Sequence, residues 1–485
     1  GHGAGTAGGG GRHWRAGHRV HLALHSPDGA VAPLARRAAA ELLDHPDVLT
    51  AYWDDGLSRL VVTAVTDAAG DRVTGHAVEL AARLGLTEDA DPEEQLGTGH
   101  PGDPRDVRIA AAGLLLDAAG VAGALAGRSL RLPRSPKAAT AAVTLLRENP
   151  RFRALLGRRF GHSGMELLLA AANAAAHGAA QSPVSLVLDG LLRTGQLAEA
   201  TARAAAFETL HDDICGERRT SLPAPAGVRP PLRVTPTQAY AAHAGTGSVA
   251  GAAATLLITH STAEAAEAVL AGSPKAARYG PAAFDALLGA RLAGTGVLVR
   301  DGRRLWQLEI ADSLVLHADA LRGRTPPGDD AVFHDPVDPC AEAVLDAARR
   351  AGLHVVITGG SDLKDITRLA DEVAPADLPF GDVVRALQND GHIVLSVARV
   401  AAHGAGDVAE GLPAGDVAIA LTDDRSAVAW GADALAPGGL GDVWRLLTAI
   451  PAARRVGRRS QTLARAGAAL SGLMVARGGT PGGRL

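Results

Sequence analysis

The stretch CAEAVLDAARRAGLHVVIT, residues 340–358, pairs a helix with a short apolar strand. The helix is predicted to stop at Gly352, because glycine commonly ends helices, and the strand is apolar enough to be buried. The same alternation continues in the segments DLKDITRLADEV (362–373), GDVVRALQNDG (381–391), HIVLSVA (392–398) and GDVAIAL (415–421). Short strands separated by helices predict a doubly wound parallel sheet, which binds ligands at the carboxyl ends of its strands.

A second α/β pattern lies upstream, between residues 19 and 84. The runs HRVHLALH, VLTAYW and LSRLVVTAV are strand-like, whereas VAPLARRAAAELL and VTGHAVELAARLG have helical spacing. The order β-α-β-β-α predicts a ferredoxin-like unit over residues 18–87. The glycine-rich residues 1–17 before it are predicted to form a flexible N-terminus.

Four histidines, His13, His18, His21 and His25, accompany the first of these strands. Their spacing matches no metal site, so we interpret them as surface or strand residues. Heavy-metal-associated domains, which this order of elements resembles, carry a CxxC pair after their first strand. The corresponding loop here, HSPDG at residues 25–29, contains no thiol, and metal delivery by that route is not expected.

The middle of the chain is predicted to be a linker followed by helices. Residues 88–106 are acidic, aperiodic and rich in glycine and proline, which is typical of a linker. Within the helical region, residues 107–295, three alanine-rich apolar stretches approach the length that crosses a bilayer: 109–126, 167–188 and 235–263. We therefore expect membrane-spanning helices, and soluble alanine-rich helices are the alternative. Asp117 is a functional candidate if its stretch spans the membrane.

Composition excludes several classes of protein. The formal net charge is -4 and the arginines are scattered, so no nucleic-acid partner is expected. The two cysteines, Cys215 and Cys340, imply no disulfide framework. The chain begins without methionine, and we expect it to be part of a longer or processed protein. Residues 451–485 are predicted to be a C-terminal helix and tail.

Several later segments together resemble one family, the large actinobacterial cation-transporting P-type ATPases of the I and H type. Residues 296–321, GVLVRDGRRLWQLEIADSLVLHADAL, resemble the strand that carries the phosphorylated aspartate of the DKTGT motif. LHVVITGG (353–360) resembles the strand that ends in TGD, and GDVAIAL with ADAL (432–435) resembles ADVGIAL and ADIVL. The resemblance implies a haloacid-dehalogenase-like (HAD-like) phosphorylation domain over residues 296–450.

The catalytic positions of that family are changed in this sequence. His317 stands in place of the nucleophilic aspartate, Ala318 in place of the lysine beside it, and Gly360 in place of the TGD aspartate. Asp382 stands where a lysine is expected. The magnesium-binding aspartates of GDGxND correspond to residues 398–400 or, in a shifted alignment, 404–407, neither of which offers paired carboxylates.

The short distance between the His317 segment and the TGD-like strand also indicates that the catalytic machinery is missing. Only about 40 residues separate His317 from the TGD-like strand, whereas a nucleotide-binding domain needs roughly 100 or more. The family uses ATP and Mg²⁺, but the altered motifs predict no cofactor, no metal and no catalytic residue here. Phosphoryl transfer of this kind requires a carboxylate nucleophile, which an imidazole does not supply.

These observations lead to a hypothesis of a degenerate P-type ATPase module. It is expected to be catalytically inactive and to act structurally or in regulation, within or beside an active metal-cation transporter. Its partners would be the cell membrane and an active P-type ATPase half, with its other domains in the cytoplasm. Two alternatives remain open: an active P-type ATPase or HAD-like phosphatase using Asp312 or Asp319, and a soluble ligand-binding or interaction protein. Asp312 is interpreted as lying near the middle of its strand.

Overall fold

The computed structural model describes residues 13–27, 29, 31–88, 100–180, 183–225, 229–262, 265, 269–270, 275–323, 337–359, 363–402 and 406–478. Most of the predicted N-terminus and linker, and the predicted site residue Gly360, lie outside the described residues. The chain divides into two compact units. The first contains residues 1–104, 202–232 and 291–450, and the second contains residues 105–201, 233–290 and 451–485.

The first unit begins with a small antiparallel sheet covered by two helices. Its elements are β1 (His13–Ala16), β2 (Arg19–His25), α1 (Val31–Leu42), β3 (Val48–Asp54), β4 (Arg59–Ala64), α2 (Gly70–Arg83) and β5 (Thr87–Glu88). The strand order is β1-β2-β4-β3, and β5 also pairs with β2. Between β3 and β4, the Asp54 carboxylate accepts hydrogen bonds from the backbone N–H groups of Gly56 and Leu57, at 2.9 and 3.0 Å. This is the turn that the Asp-Asp-Gly sequence predicts.

Long helices form most of the second unit. They are α3 (Pro104–Ser129), α4 (Lys137–Glu148), α5 (Pro150–Ala179), α6 (Pro183–Ile214), α7 (Pro236–Thr259) and α8 (Lys275–Gly294). The last part of α6, from residue 202, belongs to the first unit. Small residues let the helices approach closely, since a Cβ on Gly120 would lie 3.0 Å from the backbone oxygen of Ala174.

One described helix, α3, is long and apolar enough to cross a membrane. It contains the first of the three predicted apolar stretches, and 22% of its most apolar 18-residue window is buried. The helices that contain the second and third stretches do not meet the same criterion within the described residues.

The parallel sheet of the first unit follows the predicted alternation. Its strands and their neighbours are β6 (Ser221–Leu222), β7 (Leu298–Val299), β8 (Ser313–His317), α9 (Ala341–Arg350), β9 (His354–Thr358), α10 (Lys364–Thr367), β10 (Glu372–Val373), α11 (Phe380–Asn389), β11 (Val394–Arg399), α12 (Gly406–Gly411), β12 (Val417–Leu421), β13 (Val428–Ala429), β14 (Ala434–Ala436) and α13 (Leu440–Gly478). The sheet order is β10-β9-β8-β11-β12-β14-β7, and only β7 runs antiparallel to its neighbour. β6 and β13 form a separate parallel pair. Short 3₁₀ helices span Asp67–Ala69, Gly302–Glu309, Ala318–Leu321 and Leu412–Ala414.

Burial explains the order of the strands in this sheet. All five residues of β12 are buried, and so are all six of β11, which suits strands covered on both faces. The short β10, with two exposed residues, lies at the edge. α9 and α11 end just before Gly352 and Gly391, both at positive φ, as the glycine stop signals predict.

An ion pair between Asp433 and Arg229 stabilises the part of this sheet that contains β12 and β14. Asp433, directly before β14, receives two hydrogen bonds from the Arg229 guanidinium, at 2.6 and 2.7 Å. The same carboxylate accepts the backbone N–H of Ala418 in β12 at 2.7 Å. Asp433 therefore connects β12, the start of β14 and a segment about 200 residues earlier in the chain.

Replacing Asp433 with alanine is expected to destabilise the first unit by about 3–5 kcal/mol, because the partly buried Arg229 charge and the Ala418 N–H would lose their partner. All five tryptophans lie in the first unit, so urea unfolding of the full chain followed by tryptophan fluorescence measures it. Asp346→Ala is the matched control, because it breaks an exposed pair with Arg350 and should cost roughly 0.5 kcal/mol or less. Equal shifts in the two variants would contradict this account of Asp433.

Candidate functional site

The carboxyl ends of β8, β9 and β11 meet at one edge of the parallel sheet. His317 is the last residue of β8 and is in register with Thr358, the last residue of β9. On the other side of β8, β11 ends at Arg399, which is in register with Leu421 of β12. This edge, the β8–β11 edge, is where sheets of this type bind ligands.

Three groups surround the His317 imidazole. Its Nδ1 accepts a hydrogen bond from the backbone N–H of Asp319 at 3.4 Å and so caps the 3₁₀ turn that follows β8. Phe380 contacts the ring edge-on, with centroids 5.8 Å apart. Gly359, at φ +70°, lies on the remaining side, where a Cβ would be 3.3 Å from Nε2. One carboxylate oxygen of Asp319 also lies 3.6 Å from Nδ1.

Burial lowers the pKa of His317, since a charged ring would lose its hydration. The carboxylates of Asp319 and Asp407 partly offset this effect by raising the pKa, and the Arg322 charge lowers it further. The imidazole is therefore neutral near pH 7, with its Nδ1 lone pair directed at a backbone donor and its proton on Nε2. Neither nitrogen offers a free lone pair to a phosphoryl group.

Arg399 contributes a fixed positive charge at the same edge. Its guanidinium contacts the Asp423 carboxylate at 2.7 and 2.8 Å and donates to the backbone oxygens of Asp319 and Arg322, the latter at 3.1 Å. The Arg399 side chain is 9% exposed. A cation of the protein itself thus lies at one of the two positions considered for the magnesium-binding aspartates, and it already uses the oxygen atoms around it.

The shifted alignment gives no paired carboxylates among the described residues either. Gly404 lies outside them, and Asp407 is the first acidic residue after that gap. One carboxylate oxygen of Asp407 accepts the backbone N–H of Phe380 at 3.0 Å, at the start of α11. Asp407 therefore helps to position the helix that contacts His317.

The other predicted positions have local roles. Ala318 is fully buried in the first turn after β8. Asp382 lies in the first turn of α11, and its carboxylate pairs with Arg385 of the same helix at 2.6 Å. An acidic residue there also interacts favourably with the helix dipole. The structure thus brings His317 and Ala318 to the β8–β11 edge, whereas the Asp382 carboxylate forms an ion pair within α11.

The two alternative nucleophiles occupy opposite ends of β8. Asp312 directly precedes the strand, so the interpretation that it lies near the middle is wrong. Its carboxylate accepts hydrogen bonds from the Ile393 N–H at 3.0 Å and from the His392 ring at 3.1 Å. Asp319 lies at the carboxyl end, where its side chain pairs with Arg322 at 3.2 Å. Only Asp319 is near the β8–β11 edge.

Arginines also pair with the buried carboxylates of the helical unit. Asp117, the candidate of the first apolar stretch, contacts Arg193 at 2.8 Å, and the two side chains are 2% and 12% exposed. Asp189 accepts from Arg147 at 3.1 and 3.2 Å, from Asn173 at 2.9 Å and from the Tyr279 hydroxyl at 2.6 Å. A cation that approached either carboxylate would have to compete with a guanidinium.

The sequence reasoning missed a cluster of histidines and a cysteine. His21, interpreted as a surface or strand residue, is a fully buried strand residue whose ring contacts His100 and His211. Cys215 lies four residues after His211, on the same side of the chain as it leaves α6. The spacing His-x₃-Cys at the end of a helical segment was the available signal, since residues four apart share a helix face.

Known proteins resemble this chain in sequence and in fold. The chain is similar to the probable cation-transporting ATPase I of Mycobacterium tuberculosis (strain ATCC 25618 / H37Rv), with 27% identity over 587 aligned positions that cover 96% of this chain. The probable cation-transporting ATPase I of Mycobacterium leprae (strain TN) is 27% identical over 584 positions, covering 95% of it. The chain spans about 36% of the length of these curated relatives. No family model matches the chain.

Two solved structures of a zinc-transporting PIB-type ATPase, in different states, are also similar. One has a TM-score of 0.47 at 13% identity and covers 77% of this chain and 95% of that one. The other has a TM-score of 0.44 at 14% identity, covering 75% and 94%.

The lowered pKa of His317 predicts a pH dependence of stability. The unfolded ring, with a pKa near 6.5, binds a proton more readily than the folded ring, so this contribution is complete above pH 6.5 and is lost as the pH falls below it. Wild type should therefore lose more stability than His317→Gln between pH 7 and the acid range. Urea unfolding at a series of pH values measures the difference. Parallel profiles for the two proteins would contradict the assignment of a neutral, buried His317.

Proposed function

Because the chain belongs to the P-type cation-transporting ATPase family, we propose that it is a catalytically inactive pump-like module. It acts structurally or in regulation, within or beside an active metal-cation transporter. The observation that carries the proposal is the Arg399 guanidinium at the β8–β11 edge. Magnesium-dependent phosphoryl transfer requires a divalent cation between the nucleophile strand and the next strand of the sheet, and a guanidinium there repels it.

His317 supports the same proposal. An acyl-phosphate forms on a carboxylate, and the residue at the end of β8 is a neutral imidazole whose acceptor nitrogen faces a backbone N–H. The segment between β8 and β9 contains only about 36 residues, too few for a nucleotide-binding domain of roughly 100. We therefore propose no catalytic residue, no bound ATP and no Mg²⁺ for this chain.

The fold assignments within the family are also proposals. We assign the parallel sheet of the first unit to a HAD-like phosphorylation domain, and the β2-α1-β3-β4-α2-β5 order supports a ferredoxin-like N-terminal domain. β1 adds a strand beside β2 that the ferredoxin-like pattern does not require. The loop after β2 carries no CxxC, so this domain does not deliver metal in the manner of heavy-metal-associated domains.

The helical unit supports a role that does not itself transport cations. The Asp117 and Asp189 carboxylates, which are the buried acidic groups described above, both pair with arginines of that unit. We propose that the unit resides in the cell membrane through α3 and associates with an active P-type ATPase half. The remaining domains would then lie in the cytoplasm.

The active-enzyme alternative has less support. Asp312 lies at the amino end of β8, and Asp319, at the correct end, is paired with Arg322 beside Arg399. A phosphatase that used Asp319 would have to bind Mg²⁺ next to two arginines. Electrostatic repulsion disfavours that arrangement.

Incubating the full chain with labelled ATP and Mg²⁺ is expected to give no phosphoenzyme. His317→Asp should give none either. The lysine, the magnesium-binding carboxylates and the nucleotide-binding domain would still be missing, and these groups act with the nucleophile as a unit. His317→Asn is the matched control, since it lacks the carboxylate, and an intact P-type ATPase assayed in parallel verifies the method. Label that hydroxylamine releases, and that disappears in Asp319→Asn or Asp312→Asn, would overturn the proposal.

Membrane residence through α3 is tested by fractionating cells that express the full chain, where it should remain in the membrane pellet after carbonate extraction. Leu115→Arg, at a residue 71% exposed on α3, should weaken retention, because an arginine within a span costs about 2.5–3.5 kcal/mol. The control Leu463→Arg changes an exposed leucine of α13. A monodisperse, detergent-free preparation of wild type would favour the soluble alternative instead.

A further inference from the structure

The first unit contains a buried group of metal-binding side chains that the proposed function does not use. His21 of β2, His211 of α6 and Cys215, just beyond α6, present nitrogen and sulfur atoms that all lie within 4.8 Å of one another. Their relative exposures are 0%, 3% and 1%. Imidazole nitrogen and thiolate sulfur are the ligands of structural zinc sites and of other thiolate-binding ions.

Aromatic rings enclose this group. Trp14 stacks on His211, with centroids 5.6 Å apart and planes inclined by 13°, and meets His21 edge-on at 4.8 Å. Phe207 contacts both histidines edge-on, at 5.9 and 6.0 Å. Burial lowers the pKa of His21, and the nearby charges of Arg59 and Arg19 lower it further. Polar atoms buried in this way have to satisfy one another or bind a ligand.

His100, His21 and His211 form a chain of hydrogen bonds, and the partners at its two ends determine which ring nitrogen of each histidine carries the proton. At one end the backbone N–H of Gly102 donates to His100 Nδ1 at 3.2 Å, so His100 carries its proton on Nε2 and donates to His21 Nδ1 at 3.1 Å. His21 then donates from Nε2 to His211 Nε2 at 2.8 Å. His211 finally donates from Nδ1 to the Asp212 carboxylate at 3.0 Å. One proton therefore lies between the two Nε2 atoms.

The outer contacts of His211 are those of a metal-binding histidine. Asp212 accepts its Nδ1–H and is held in turn by Arg19, at 2.6 Å from the second carboxylate oxygen. A carboxylate on the far nitrogen fixes the ring and makes its Nε2 a better ligand. That Nε2 lies 2.8 Å from His21 Nε2, and one nitrogen of each ring lies within 4.8 Å of Cys215 Sγ.

We propose that His21 Nε2, His211 Nε2 and Cys215 Sγ bind one closed-shell ion that prefers thiolate, Zn²⁺ or Cu⁺. The ion would take the place of the proton between the two Nε2 atoms. With metal–nitrogen bonds of about 2.0–2.1 Å, the nitrogens would move apart to roughly 3.3–3.6 Å, a small change for two side chains on different elements. The proposal stands independently of the proposed function.

Binding requires a defined rearrangement of protons. The Cys215 thiol loses its proton to solvent as the metal–sulfur bond forms, so one proton is released for each ion bound. Burial and the nearby Asp54 raise the pKa of that thiol, and the charge of the ion compensates the thiolate. The His21 proton moves from Nε2 to Nδ1, and the His100 proton moves from Nε2 to Nδ1, so that His21 now donates to His100 Nε2 and both rings stay neutral. The Gly102 N–H then loses its acceptor on His100, and that segment has to shift so that the two N–H groups do not face each other.

Such an ion would join two distant parts of the first unit. His21 belongs to the N-terminal sheet, and His211 is 190 residues later in the chain. An ion that links β2 to the end of α6 stabilises the folded unit, and the gain grows with the logarithm of the ion concentration divided by its Kd. A bound ion would thus hold the N-terminal sheet to the end of α6.

The test uses the full chain and Co²⁺ as a spectroscopic probe, followed by displacement with Zn²⁺ or, under reducing conditions, Cu⁺. Co²⁺ should bind with one equivalent and give a sulfur-to-cobalt charge-transfer band. The chain has only two cysteines, so Cys340→Ser is a matched control for Cys215→Ser. The band should persist in Cys340→Ser and disappear in Cys215→Ser, and Asp212→Asn should weaken binding about 10–100-fold.

Two measurements keep the test decisive if a variant folds poorly. X-ray absorption of the wild-type chain loaded with Zn²⁺ or Cu⁺ should show one sulfur and two nitrogen neighbours, and the ion that displaces Co²⁺ at the lower concentration identifies the preferred metal. The tryptophan melting transition of wild type should also rise with bound metal. No stoichiometric binding, a band that follows Cys340, or a sulfur-free metal environment would overturn the site and leave the histidines as a hydrogen-bonded core.

Discussion

The hydrogen-bond ladder that joins β8 to β9 and β11 is the constraint on which the candidate site depends. Parallel pairing places Leu316 opposite Ile357 and Val397, and it thereby sets where all three strands end. A slip of one residue would turn the buried side chains of these strands to the wrong face of the sheet. The residues at the strand ends therefore stay together whatever their chemistry, and the edge keeps its geometry with an imidazole, His317, at the end of β8.

Local pattern was sufficient to predict the sheet, because its signals are short-range. Apolar runs such as β12, and the glycines after α9 and α11, identify strands and helix ends within a few residues. Asp312 shows the limit of such reasoning. Its carboxylate receives the Ile393 N–H and so lies at the amino end of β8, a position that depends on a residue 81 positions away.

Contacts between distant segments explain why much of the site was not predictable. The sequence shows only that residues 398–400 offer no paired carboxylates. The contacts of Arg399 depend on Asp423 and on backbone oxygens about 80 residues earlier. The histidine cluster joins residues 21, 100 and 211, which no spacing rule connects. Only the interval between His211 and Cys215 was local enough to be recognised from the sequence.

The arginine at the β8–β11 edge also shows how the protein itself can supply positive charge at such an edge. Paired carboxylates at such an edge repel each other unless a cation lies between them. Arg399 instead supplies the positive charge covalently and hydrogen-bonds Asp423 and the carbonyl oxygens of Asp319 and Arg322. The positive charge at this edge is therefore paired with groups of the protein itself. A ligand shifts a conformational equilibrium only by interacting differently with the two states. Under the function proposed above, this edge offers neither nucleotide nor Mg²⁺ such a difference.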